Sequence, residues 1–513
     1  MTQINFLDQL LEEQADLTAV ERFSKVHDEM DELGKPALES NYKALIPSRN
    51  PKEGEQYSFE VNLDACTGCK ACVVGCHHMN GLAEAETWRE VNTLKSGEEG
   101  KANVQHLTSA CHHCLEPGCA TGCPVQAYEK DESTGVVYHL DDQCIGCRYC
   151  ELKCPYEVPQ FNETLGIVRK CDMCIGRLKE GEAPACVQSC PNEAIEIKLV
   201  NKEEIRSESG SGRSLPGNPS SDYTSPTTRY VGQESQTWAR TERKPQLAHG
   251  HLPLATMLPL TQLGFGMLVA SGFAGAHSSV FGWLILMAGL AVAPLHLGRP
   301  QLAWKAFLGA RTSWLSREML AFGPFAGLAS LWMAFEIAPY LGLGEMVDSF
   351  FWVEMPLFIG MLLTGIASVF CSAMIYVDTP RPLWKYGGTF QRFSGSVLLG
   401  AAAGLSSAVD LTLAYGCFVV ALGLKVYGET GVFRNLRAHP ELEETVTLIR
   451  SHLLGRQKLR WVAYVVVALF VPLVSLMFTI PLLLIMLWVE VDERHDFFRA
   501  GIAPGEMRNS GHN

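Results

Sequence analysis

Hydrophobic and polar positions divide the chain in two. Up to about residue 250 apolar residues are scattered among polar ones. Beyond it they gather into runs near 253–273, 279–297, 319–339, 351–376, 395–409, 411–427, 460–475 and 476–490. A membrane-spanning helix needs roughly 20 apolar residues, and the first four runs supply them. The fifth is short. The last two form one stretch from Trp461 to Val489, broken by Pro472 and Pro481, so two short helices or a re-entrant pair are expected. The pattern predicts an all-α membrane bundle of about eight helices over 251–499, with seven as the alternative, and a tail from 500 to 513.

Loop charges sort with this pattern. Basic residues precede the first run (Arg240, Arg243, Lys244) and follow the second (Arg299, Lys305, Arg311, Arg317) and the fourth (Arg381, Lys385, Arg392). They also follow the sixth (Lys425, Arg434, Arg437, Arg450, Arg456, Lys458, Arg460) and mark the tail (Arg494, Arg499). The alternate loops hold only acids, such as Glu345, Asp348, Glu354 and Asp410. Positive charge stays on the cytoplasmic side. The expectation is a multi-pass protein of the cytoplasmic membrane, with both termini and the polar half inside the cell. Even parity favours eight spans.

The polar half has its own parts. Residues 1–55 are acidic, and 5–32 carry apolar positions at helical spacing, which predicts an amphipathic helix lying on its own domain or docking to a partner. No basic start followed by an apolar core is visible there, so no export signal is expected. Residues 201–250, rich in Ser, Gly, Pro and Thr, read as a loose tether. The net charge of −13 offers no basic stripe for nucleic acid.

Of 18 cysteines, sixteen lie in 56–200, in four groups. These are Cys66, Cys69, Cys72, Cys76; Cys111, Cys114, Cys119, Cys123; Cys144, Cys147, Cys150, Cys154; and Cys171, Cys174, Cys186, Cys190. The spacing C-x₂-C-x₂-C-x₃-C-P is the bacterial ferredoxin run, in which the fourth cysteine serves the other cluster of a pair. Structural zinc also takes four cysteines, but three in succession at this spacing do not suit two paired knuckles. Four thiolates per cube give four [4Fe–4S] clusters. The paired logic joins Cys66, Cys69, Cys72 with Cys190; Cys171, Cys174, Cys186 with Cys76; Cys144, Cys147, Cys150 with Cys123; and Cys111, Cys114, Cys119 with Cys154. Short β-like runs between groups, such as 136–140 and 194–199, predict an α+β ferredoxin-like domain. His77, His78, His112 and His113 adjoin ligands and read as neighbours rather than ligands. A string of clusters moves single electrons over distance.

In the apolar half only His277 and His296 are read as close to spans, at opposite ends, so haem is not expected. His296 sits where the second run meets the basic stretch 297–318. A quinol site needs hydrogen-bonding groups for two oxygens and a proton acceptor near neutrality, and histidine provides both. Arg299, Arg317 and Glu318 are candidates to orient it or relay protons. The plain alternative is a helix cap with arginines on lipid headgroups. A different class of function, an ion-translocating module under a ferredoxin head, would want acids buried mid-membrane, whereas Glu336 and Asp410 are placed near outer ends.

The cysteine groups resemble the four-cluster iron–sulfur subunit of the dimethyl sulfoxide reductase family. The stretches HLGRP (296–300), SWLSRE (313–318) and YVDTPRPLW (376–384) resemble that family's membrane anchor. The two are normally separate polypeptides and appear fused here. The resemblance implies a separate molybdopterin (molybdenum or tungsten) catalytic subunit as partner. It also implies a quinone pool, menaquinone or ubiquinone, served at His296, with the group-three cluster nearest. In related nitrate reductase subunits a Trp replaces the second cysteine of group three; Cys147 stands there, implying four full cubes. A sulfoxide or nitrate reductase-like or a sulfite dehydrogenase-like partner, and either direction of electron flow, stay open.

Overall fold

A computed structural model describes residues 19–32, 42–96, 103–211, 215, 221–232, 238–240, 246–406, 411–470 and 476–503. Within the predicted amphipathic stretch 5–32, Ala19–Glu32 is helical; residues 5–18 lie outside the described residues.

The head is organised by strand β1 (Glu55–Asn62), whose Tyr57, Phe59 and Val61 alternate into the core. It pairs antiparallel with β8 (Ile195–Asn201), setting Phe59 opposite Ile197 and Val61 opposite Ile195. On its other side it runs parallel to β9 (Arg229–Val231). Being central, β1 also buries Gln56 and Ser58, and Ser58 Oγ donates to the Thr227 carbonyl at 2.7 Å. A second sheet joins β2 (Glu90–Ser96) to β3 (Asn103–Ser109) and to β10 (Trp238–Arg240). Two hairpins, β4–β5 (Tyr128–Lys130, Val137–His139) and β6–β7 (Gln160–Asn162, Ile167–Arg169), complete it.

Several described parts of the stretch expected as a loose tether, 201–250, belong to this head. Asn201 caps a helix, Lys202–Gly210, accepting from the Glu203 and Glu204 amides at 2.9 and 3.3 Å. Residues 224–228 then run along loop 112–116: the amides of Leu115, Glu116 and Thr227 donate to the carbonyls of Ser225, Thr224 and His112. Buried backbone groups need partners, and this segment's small, hydroxyl-rich residues fit close enough to provide them. A composition that reads as a linker here closes the core.

Among the described residues the second half holds eight long helices: α1 (Leu252–Ala274), α2 (Ala276–Val292, tightening into a 3₁₀ turn at Ala293–His296), α3 (Trp314–Ile337), α4 (Phe351–Val377), α5 (Thr389–Ser406), α6 (Leu411–Asn435), α7 (Leu454–Phe470) and α8 (Leu476–Arg499). Each covers all or part of one predicted run. By length and composition five of them, α1–α4 and α6, are able to cross a membrane. Helix α5 carries Gln391 and Arg392 in its first turn, and α7 and α8 carry charged turns. Helix α1 is central and approaches its neighbours through glycine, as apolar bundles do. A Cβ on Gly266 would lie 1.9 Å from Val397 O of α5, and one on Gly264 would lie 2.6 Å from Leu286 N of α2.

Four bases expected in loops or the tail are instead buried in helices. Arg392 (α5), Lys425 (α6), Arg460 (α7) and Arg494 (α8) lie inside the bundle with Glu429, Glu490, Glu493 and Asp496. Lys425 Nζ meets Glu490 Oε2 at 2.6 Å, Arg392 meets Glu493 at 2.6 Å, and Arg460 meets Asp496 at 2.6 Å. Local sequence places them at the ends of runs; helix packing pairs them. Removing one member leaves a buried charge unmatched, at a cost of about 3–5 kcal/mol. Lys425→Met is therefore expected to lower the thermal unfolding temperature of the detergent-solubilised protein. Adding Glu490→Leu should recover much of the loss, and no loss in the single variant would show the pair to be dispensable.

Candidate functional site

The cysteine loops share a local cause. In the first, Gly68 (φ 74°) and Lys70 (φ 62°) are left-handed, and a helix, Ala71–Met79, follows at once. In the third, Gly146 (φ 68°) and Arg148 (φ 59°) repeat this before the helix Tyr149–Lys153. The paired turns curl the chain so that successive thiols face one volume. Cys66, Cys69, Cys72 and Cys190 line one cavity, and Cys111, Cys114, Cys119 and Cys154 line another. The Cys76 thiol interacts electrostatically with Cys186 and Cys174, and Cys171 with Cys76. Likewise Cys147 interacts with Cys123 and Cys144, and Cys150 with Cys147 and Cys144. Each set thus takes its fourth member from a distant group.

The surroundings suit thiolates. Backbone amides donate to sulfur: Ala127 to Cys123 at 3.2 Å, Ala194 to Cys190 at 3.3 Å, Gly146 to Cys144 and Met173 to Cys171 at 3.4 Å. Such donors favour the ionised form. Burial works against it, pushing Cys123 up to about 11 and Cys154 and Cys174 to about 12. Burial also pushes on Cys144, but the His139 ring bonded to it brings the thiol below its usual value. A metal that displaces these protons is what makes such burial tolerable. The sulfurs surround a volume, as a cube needs. The neighbouring histidines are engaged by protein: His113 Nδ1 accepts from the Val137 amide at 3.1 Å, His112 Nδ1 meets Thr228 Oγ1 at 2.9 Å, and His77 meets the Ala83 carbonyl at 3.1 Å.

The third set rests on the membrane half. The turn after α2 enters the Cys144–Cys147 loop: the Arg299 amide donates to Ile145 O at 3.0 Å and the Gly298 amide to Gly146 O at 3.4 Å. Gly146, Gly166 and Gly298 meet backbone to backbone. A Cβ on Gly298 would lie 2.1 Å from Gly166 O. Nearby, the Gly309 amide donates to Pro124 O at 2.8 Å, and Ser313 Oγ to Gly122 O at 2.7 Å. Ala306 lies in one core cluster with Cys123, Cys144 and Cys150.

The four sequence-predicted quinol-site residues are placed differently from one another. His296 is half-buried on this turn, its Nδ1 bonded to the Ala293 carbonyl. A carbonyl only accepts, so Nδ1 carries the proton and Nε2 is left as an acceptor. Arg299 donates to Asp141 O at 2.9 Å, tying the same turn to the head. Glu318 is buried inside the bundle and accepts from Ser372 Oγ of α4. Arg317 turns away: it donates to the carbonyls of Ala310 and Arg311 and stacks on Trp314 at 4.4 Å. It fixes its own loop.

Sequence reasoning missed a second seam. Tyr149 OH donates to Ile375 O at 3.0 Å, Lys153 pairs with Asp378 at 2.9 Å, and Arg381 meets Glu157 at 3.3 Å. Asp378 and Arg381 belong to the YVDTPRPLW stretch, so the signal was present without a role. It also counted too few histidines near spans. His251 occupies the N-cap of α1 and interacts with Arg148, His249, Arg381 and His296; its burial, then these neighbours, press it down to about 3, so it is neutral. Its place beside the third set follows from chain folding, since 251 is remote from 148 in sequence.

Comparison with known proteins gives two family matches. Residues 102–199 match a 4Fe-4S dicluster domain, and residues 274–439 match the DMSO reductase anchor subunit (DmsC). The protein is similar to the B subunit of the anaerobic dimethyl sulfoxide reductase of Escherichia coli, 36% identical over 179 residues, which are 33% of this protein and 86% of that subunit. The corresponding subunit of Haemophilus influenzae is 33% identical over 181 residues, 34% of this protein and 87% of that one. The hydrogenase-2 operon protein HybA of Shigella flexneri is 33% identical over 216 residues, 37% of this protein and 64% of that one.

Proposed function

Because this protein belongs to the dimethyl sulfoxide reductase family, uniting its iron–sulfur subunit with its membrane anchor, we propose that it carries electrons between membrane quinol and a separate molybdopterin catalytic subunit. Electron transfer and anchoring are its two tasks. The observation that carries the reading is the seam itself: the third cysteine set packs on the HLGRP turn of the apolar half. The four sets would hold four [4Fe–4S] clusters, which supply one-electron carriers when bound. The protein's own part is to fix the sulfurs, exclude water and hold the two halves in register.

At the turn, His296 Nε2 is the group to take a proton from a quinol hydroxyl. Arg299 holds the turn to the head, and Glu318 with Ser372 forms a polar point inside the bundle. The four bases found buried no longer serve as loop charges, yet Arg299, Lys305, Arg311, Arg317, Lys385, Arg434, Arg437 and Arg450 still fall outside the apolar runs in the alternating loops. They support a cytoplasmic head and termini, with eight helices crossing the membrane. The ion-moving alternative gains one observation, the buried acids beside Lys425 and Arg460, but each of those acids faces a base, which suits a structural network.

Iron and acid-labile sulfide analysis of the purified protein is expected to give one iron per ligating cysteine. Electron paramagnetic resonance of the reduced protein should show interacting [4Fe–4S] signals. A colourless protein holding zinc would overturn the proposal.

A further inference from the structure

Two cations lie wholly inside the head without a carboxylate in ion-pair contact among the described residues. Arg89 and Lys170 are each 2% exposed. Arg89 donates to Thr108 Oγ1 at 3.1 Å and lies over the Phe59 ring at 4.6 Å. Its Nη2, also buried, has no hydrogen-bond partner among the described residues. Lys170 Nζ donates to the carbonyls of Val137 and Cys171 and reaches Cys111 Sγ at 3.7 Å. An isolated charge in such a place costs several kcal/mol, so each needs an anion. The groups facing them most strongly are cysteine sulfurs, which become anionic as cluster ligands. Arg89 interacts with Cys186, Cys72, Cys171 and Cys76; Lys170 interacts with Cys111, Cys119 and Cys171, and more weakly with the Asp172 carboxylate.

These neighbours come from different sets. Cys72 belongs with Cys66, Cys69 and Cys190, while Cys76, Cys171 and Cys186 form another. Cys111 and Cys119 belong to a third. Thr108 Oγ1 continues the first junction, lying 3.6 Å from Cys72 Sγ. At the junction toward the membrane, between Cys119 and the set of Cys123 and Cys150, the buried group is instead a neutral phenol, Tyr128.

We propose that Arg89 and Lys170 are fixed counter-charges shared between adjacent clusters, raising the reduction potentials of the three clusters remote from the membrane relative to the one beside it. They act by position and neither gain nor lose electron or proton. Each reduction adds one electron, from quinol or in vitro from dithionite, and so one negative charge at a cluster that a neighbouring cation stabilises. The gradient draws electrons away from the quinol end. The inference rests on the reading of the four sets as cluster sites.

The test is a redox titration of the full-length holoprotein followed by electron paramagnetic resonance, with iron content measured on each sample. Lys170→Met is expected to lower the ratio of reduced to oxidised clusters at Cys111 and Cys171 about tenfold at a fixed potential, a 59 mV shift for one electron. Arg89→Met should do the same at Cys72 and Cys76, and the Cys144 cluster should hold in both. Full iron with unmoved potentials would overturn the inference and leave the cluster reading intact; wild type without iron would end both. If the methionine variants lose iron, Arg89→Lys and Lys170→Arg decide. Retained clusters at near-native potentials show that charge is what matters, whereas cluster loss there too assigns the residues to packing.

Discussion

Replacing Gly298 by valine is expected to cut quinol-driven reduction of the clusters on the order of 100-fold, as ångström-scale displacement at a reacting site does. Dithionite should still reduce them fully. The reason is space. Gly298 lies against Gly166, and even a Cβ would stand 2.1 Å from the Gly166 oxygen and 2.6 Å from its carbonyl carbon. Nothing there is a flexible side-chain end; both surfaces are backbone. Gly146 is left-handed, with φ 68°, and a Cβ on it would meet Gly166 O at 2.4 Å, so the head side has no slack either. The joint must open, stretching the bonds from Gly298 and Arg299 to Gly146 and Ile145. The second seam, Lys153–Asp378 and Arg381–Glu157, should keep the halves associated. Unchanged quinol-driven rates with full iron would show that this turn is not on the electron route.

His296→Leu tests the chemistry at the same turn. Leucine fills much of the imidazole's space but accepts no proton. A positioned acid–base group contributes roughly 100- to 10,000-fold, and quinol oxidation is expected to fall in that range. The clusters should assemble, because His296 bonds to its own turn at Ala293 rather than to a cysteine loop. Stopped-flow bleaching of the iron–sulfur absorbance by a reduced quinol analogue reads the rate directly. Turnover equal to wild type would remove His296 from the site and leave Glu318 with Ser372 as the remaining candidate for it. Paired with Gly298→Val, the experiment separates a broken joint from a missing base: a joint defect should respond to the size of the residue at 298, a missing base should not.

Much of the site was legible because it is written in short spacing. Gly68 and Gly146 sit between the first two cysteines of their groups, and Lys70 and Arg148 follow the second; each pair is left-handed. Thiols at x₂ intervals then have no choice but to share a volume. The apolar runs were legible for a similar reason, since a helix follows from its own residues. Less was legible where polar groups find distant partners. Thr224 and Ser225 looked like linker and instead complete the head. Lys425, Arg460 and Arg494 looked like loop or tail charges and instead meet Glu490, Asp496 and Gln262. Arg317 looked like a member of the quinol site and instead braces its own loop.

The sequence by itself determined the two halves, the four cysteine groups and the apolar helices, because each depends on contacts within a few residues. Only the tertiary structure decided that Arg89 and Lys170 lie among sulfurs of different groups, and that the HLGRP turn meets the third cysteine loop glycine to glycine. Those outcomes need backbones remote in sequence to approach within van der Waals distance. Packing of the whole polypeptide sets that approach; no local pattern encodes it.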